Sequence, residues 1–123
     1  PVHVERRLGC GVDDLTDGAP SIAPTLRGRG EGAPTLVLAH QPDHFRELAE
    51  HDVDLVLSGH THGGQVRPFG WAPIQHTHHG WLAGGYSLGS AKLHVSRGAG
   101  TTVLPLRWHA RPEITVVTFE VER

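Results

Sequence analysis

The sequence predicts an α/β fold, a parallel βαβ unit followed by a β-rich layer, on three observations. TLVLA (35–39) and VDLVLS (53–58) are continuous apolar runs, the pattern of strands covered on both faces. Between them PDHFRELAEH (42–51) has proline at the first helical position and Asp43 in the first turn, with Phe45, Leu48 and Ala49 at i, i+3, i+4 spacing. The second half holds a hairpin signal and an alternating run.

In chain order, the alternation Val2, Val4, Arg6, Leu8 predicts a short strand within residues 2–12. Residues 13–34 are rich in glycine and proline and read as loop, with one short helix around Ile22–Leu26; Asp13 and Asp14 could serve as carboxylate ligands but read first as shaping a turn after the strand. The strand–helix–strand of 35–58 is about the shortest workable crossover, so its strands are predicted to be parallel neighbours that end on the same edge. Residues 63–81 form a long loop punctuated by glycine and aromatics. AGGYSL and AKLHVS flank Gly89-Ser90, a type II′ hairpin turn. PEITVVTFEVE (112–122) alternates, which predicts a half-buried strand with Val117, Phe119 and Val121 on one face.

The 123 residues amount to a single domain, 1–123. A net charge of −2 gives no electrostatic case for nucleic acid. Cys10 is the only cysteine, so no internal disulfide forms. No apolar run approaches the roughly 20 residues of a membrane span. The chain opens on proline without an initiator methionine, which predicts that it is a piece of a longer protein or a processed product. Cys10 has no positioned partner and the GEG and GAG stretches lack a phosphate-loop lysine, so a side-chain nucleophile is unsupported.

Histidine stands out, at 11 residues. DLVLSGHTHGG (54–64) ends a strand on two imidazoles framed by glycine, and His40 ends the neighbouring strand. An extended His60-Thr61-His62 would aim both rings at one shared metal, whereas a turn beginning at Gly59 would spread them toward two ions. His40, His60 and His62 are the candidate ligands, at the carboxyl edge where parallel sheets bind their ligands. His76, His78 and His79 read as solvent-facing loop residues. His3, His44, His51, His94 and His109 read as surface or strand-face residues.

LVLAHQPD, DLVLSGHTHGGQVRPFG, SRGAGTTVLPLRW and RPEITVVTF, in this order and at these separations, resemble the C-terminal half of the calcineurin-like metallophosphoesterases. The bacterial subgroup of phosphodiesterases and lipid A precursor hydrolases is the nearest likeness, and GVDDL fits its upstream segment. The resemblance covers essentially the whole chain. It implies a β-sandwich flanked by helices and a centre of two divalent ions (manganese, iron, zinc or cobalt). His40 and His60 would then bind one ion and His62 the other, and a hydroxide activated by both metals would attack phosphorus in line. Arg97, and less strongly Arg67, would hold the phosphate or the leaving group.

The family's N-terminal aspartate motifs are not in this sequence, and without asparagine the chain cannot contain the Gly-Asn-His motif. Two dications a few ångströms apart need an anionic bridge. The chain by itself is therefore expected to bind at most one metal weakly and to hydrolyse phosphoesters poorly. Its expected partners are a phosphoester substrate and either the missing N-terminal half or a second copy. Family members are often membrane-associated or exported through an N-terminal segment, so the resemblance implies a bacterial cytoplasmic or membrane-associated protein. The alternative is a non-catalytic histidine-rich metal-binding or interaction module.

Overall fold

A computed structural model describes residues 8–13, 21–30 and 32–120. Its strands are β1 (Leu8–Val12), β2 (Thr35–Ala39), β3 (Leu55–Ser58), β4 (Gly84–Leu88) and β5 (Ala91–Val95), in one sheet of order β1-β2-β3-β5-β4. β1, β2, β3 and β5 run parallel, and β4 is antiparallel to β5. The α/β class and the parallel βαβ unit are thus as the sequence predicts. The β-rich part extends the same sheet instead of stacking as a separate layer.

The register explains the core. Cys10, Val37, Val56, Leu93 and Tyr86 are successive cross-strand partners, a single row across all five strands. Val37 and Val56 are fully buried, Leu93 and Cys10 nearly so, and Tyr86 packs against the same cluster. The cover on this face comes from α1 (Ile22–Thr25) and α2 (Phe45–Leu48), through Ile22, Phe45 and Leu48. A 3₁₀ turn precedes α2 (Pro42–His44) and another follows it (Ala49–His51), so the predicted helix 42–51 is helical throughout but changes pitch twice. It stops at Asp52, in the left-handed conformation with φ 51°, and Arg29 caps its end by donating to the carbonyls of His51 and Asp52.

The hairpin turn is as expected: Gly89 has φ 59° and Ser90 does not share the positive φ, the pattern of type II′. The strand expected at 2–12 appears as β1, with residues 2–7 outside the described ones. The strand expected at 112–122 does not form over 112–120, and Ile114 and Val116 are 87% and 85% exposed. Both edges of β5 are already taken, by β3 and β4. The segment meets β5 through side chains, His94 to the Thr115 hydroxyl at 3.1 Å, because beside this strand an alternating sequence finds no backbone edge to pair with.

Among the described residues the second face of the sheet lacks the cover that the apolar runs at 35–39 and 53–58 predict. Leu38 is 54% exposed, and Leu36, Leu55 and Leu57 on the same face are half-buried.

Candidate metal centre

Because β2 and β3 are parallel neighbours, His40 and Gly59-His60 leave the sheet at one edge. The Gly59 amide donates to the His40 carbonyl at 3.0 Å and ties the two exits together. The turn that follows is built around Thr61. Its side chain is fully buried, and its hydroxyl donates to the Leu82 carbonyl at 2.6 Å and accepts from the Gly63 amide at 3.3 Å. His60 and His62 take left-handed backbone (φ 65° and 50°) on either side of Thr61 (φ −72°), so the two imidazoles leave the anchor in different directions.

The two glycines behind the turn meet the strictest demands. A Cβ on Gly63 (φ 63°) would lie 2.6 Å from Arg97 Cγ, and one on Gly64 (φ 79°) 2.7 Å from Ala72 Cβ. Both positions combine a left-handed backbone with no room for a methyl group.

Of the two arrangements open to a His-Thr-His segment, the structure takes the divergent one. His40 Nε2 and His60 Nδ1 lie 3.0 Å apart, their rings edge to face with centroids 4.8 Å apart. His62 turns toward the loop after β5, with Nδ1 3.3 Å from the Gly100 carbonyl and Nε2 3.0 Å from the Thr102 hydroxyl. Among the described residues no three of His, Cys, Asp and Glu converge to hold an ion. Two do so in part. Two imidazoles sharing an ion at metal–nitrogen distances of about 2.0–2.1 Å place their nitrogens roughly 3.0–3.4 Å apart, so the donor set and spacing of His40 and His60 fit one divalent ion.

Beyond His60, residues 71–78 close a cleft of about 750 Å³ whose lining includes Gln41, His60, Trp71 and His76. Asp43, in the first turn after His40, clamps this wall: it accepts from the Thr77 hydroxyl at 2.9 Å and from the His78 amide at 3.0 Å. The His76 ring stands against His60, centroids 5.6 Å apart, and His78 lines the cleft. Both are exposed, as their loop context predicts, while they line the cleft. His79 instead packs on Trp81, at 4.7 Å. His44, expected at the surface, is buried and bonded through Nε2 to the Asp13 carbonyl at 3.1 Å.

Arg97 lies against Gly63 and donates from Nε to Glu113 at 2.8 Å. Glu113 is held below the usual carboxylate range, first by the Thr115 hydroxyl and then by Arg97, against some desolvation. Arg67 bonds the Gly70 carbonyl at 3.1 Å. Two residues that sequence reasoning does not single out lace this side together. Arg107 donates to the carbonyls of Arg97, Gly98, Gly100, His62 and Ala110. Gln65 donates from Nε2 to the carbonyls of Thr102 and Leu104 and accepts from the Thr102 amide. Both lie within motif stretches, GHTHGGQ and LPLRW. An arginine that binds only main chain leaves no charge partner in the sequence to reveal it.

An uncharacterized metallophosphoesterase of Helicobacter pylori (strain J99) is 44% identical over 121 residues, covering 92% of this chain and 32% of its own length. YkuE of Bacillus subtilis, also named an uncharacterized metallophosphoesterase, is 42% identical over 112 residues, 89% of this chain and 39% of YkuE. The chain belongs to the metallophosphoesterases. The phosphodiesterase YaeI of Escherichia coli is 39% identical over 113 residues, again 39% of that protein. This metallophosphoesterase chain thus spans about a third to two fifths of the length of the curated relatives it matches. No family model and no solved structure matches it. Among the described residues no helix is long and apolar enough to cross a membrane.

Proposed function

We propose that this chain supplies histidine ligands for the metal-dependent hydrolysis of a phosphoester. The observation that carries the proposal is the His40–His60 pair, at ligand spacing on the carboxyl edge of the parallel sheet. Divalent ions bound at such a site neutralise phosphate oxygens and acidify water. His40 Nε2 and His60 Nδ1 hold one ion, and His62, turned aside by the Thr61 anchor, serves a second. Arg97 contacts the phosphate: Glu113 takes its Nε, and 39% of the side chain is exposed, which opens its terminal amino groups to an anion. The cleft beside His60 receives the group esterified to phosphorus. Carboxylates needed to bridge the ions come from outside this chain.

The sheet face that the described residues leave uncovered supports the same view. Half-buried Leu36, Leu55 and Leu57 around exposed Leu38 form an apolar surface that a further part of the enzyme, or a second copy, covers.

The test combines the chain with an N-terminal metallophosphoesterase half that carries the aspartate motifs, adds manganese, and follows release from a chromogenic phosphodiester. Turnover that His60→Ala and His62→Ala each abolish is expected. Turnover indifferent to both variants, or manganese binding with no turnover, would refute it; the latter would favour a non-catalytic metal-binding module.

A further inference from the structure

His62 is held by a loop whose shape depends on one half-buried fork, the Arg107 guanidinium. The Gly100 carbonyl is the shared acceptor: Arg107 donates to it from Nε at 2.8 Å and from Nη2 at 2.5 Å, and His62 Nδ1 lies 3.3 Å away. Arg107 Nη2 gathers the neighbouring carbonyls of Arg97 at 2.7 Å and Gly98 at 3.1 Å, and Nη1 those of His62 at 3.1 Å and Ala110 at 3.0 Å. A guanidinium has five N–H donors and no acceptor. Its hydrogens are thus committed to carbonyl oxygens, although Nη2 also comes within 3.4 Å of His62 Nδ1. A carbonyl cannot donate, so the contact between Gly100 and Nδ1 requires the proton on Nδ1. Nε2 then keeps its lone pair and accepts from the Thr102 hydroxyl at 3.0 Å. Gln65 fixes Thr102 through its amide and its carbonyl, both at 2.8 Å.

We infer that Arg107 is a positioning residue for His62: by holding the Gly100 carbonyl it selects the Nδ1–H tautomer and presents Nε2 as the atom free to bind an ion. The Thr102 hydroxyl holds that atom in place until an ion displaces it. This rests on the assignment of His62 as a ligand. The chemistry is that of a neutral imidazole whose second nitrogen is fixed by a main-chain acceptor, an arrangement that orients the ring and strengthens it as a donor. Lysine cannot replace arginine here, because one ammonium cannot span five carbonyls in a planar fork.

The experiment uses the full-length protein with 15N-labelled histidine. Long-range proton–nitrogen spectra of the metal-free protein, assigned with His62→Gln, read the tautomer of His62. Calorimetric manganese titration then reads ion number and affinity in wild type, Arg107→Lys and Arg107→Ala. Expected are an Nδ1–H tautomer in wild type, its loss in both variants, and a fall of about 10–100-fold in the affinity of one ion, with no rescue by lysine. An Nε2–H tautomer in wild type overturns the inference even if neither variant folds. So does an Arg107→Lys protein that folds and retains both tautomer and affinity. A wild type with the Nδ1–H tautomer, lost in the variants, that takes up no manganese would support the positioning and refute the phosphoesterase reading instead.

Discussion

Replacing Gly64 with alanine loads two separate penalties onto the turn that carries His60 and His62. The first is conformational: with φ at 79°, an L-residue sits in the left-handed region, at about 1–2 kcal/mol. The second is steric. The new Cβ would lie 2.7 Å from Ala72 Cβ, where ordinary contact begins near 3.4 Å, and Ala72 is buried with no flexible end to swing away. Forcing one methyl into a packed site costs roughly 1–3 kcal/mol. The total, about 2–5 kcal/mol, corresponds to a fall in midpoint temperature on the order of 10 °C for a chain of this size. Two companions separate the terms. Gly80 has φ 73° and open space within 4 Å of where a methyl would stand, so Gly80→Ala carries only the first penalty; Gly59 has neither, so Gly59→Ala is near neutral. Thermal and urea unfolding of the three variants should rank them Gly59, Gly80, Gly64. If Gly64→Ala and Gly80→Ala agree within about 0.5 kcal/mol, the close approach to Ala72 is not a packing constraint and the reasoning fails.

Phe45→Ala empties the centre of the packing between α2 and the sheet, where Phe45 is fully buried against Trp81 at 5.4 Å; urea titration should show a loss of about 3–5 kcal/mol. Thr61→Val keeps the shape but strands the Leu82 carbonyl and the Gly63 amide, and equilibrium unfolding should show about 1–3 kcal/mol lost. Glu113 gives a pH signature: its folded value lies below the ordinary 4.5, so the unfolded chain binds more protons between the two values. Its contribution is complete above 4.5 and fades as pH falls through the folded value. A carboxyl titration followed by NMR should move back toward 4.5 in Thr115→Val, and Glu113→Gln should flatten the acid limb of the stability curve. In the assembled enzyme, His40→Ala should cost one bound ion, counted by metal analysis of the desalted protein.

Much of this is legible in the sequence because it is local. Apolar runs that need cover on both faces, a proline at a helix start and Gly89 at a hairpin corner each constrain the backbone within a few residues. Two parallel strands with a minimal crossover then place His40 beside His60 without further information. The failures share a cause. The alternation at 112–120 is a strand pattern, but alternation says nothing of whether an edge is available, and β5 has none to offer. His76 meets His60, and Arg107 meets Gly100, across loops that only tertiary contacts fold, such as the Asp43 clamp. The divergence of His60 and His62 is open in the sequence, since flanking glycines permit a turn without requiring one. Buried Thr61 decides it.

The two sides of the site differ in how they are held. His40 and His60 issue from β2 and β3, interior strands with a neighbour on each side and with wholly buried residues beneath them. Slow amide exchange belongs there, since such ladders open only with the whole molecule. His62 depends on residues 97–110, which lie in no strand and are fastened by the side chains of Arg107 and Gln65 and by one main-chain bridge, Trp108 to Gln65 and Arg67. That flank can open by itself and should exchange faster. The three histidines thus stand on unequal footings, two rooted in the interior of the sheet and one carried by a loop that side chains tie down.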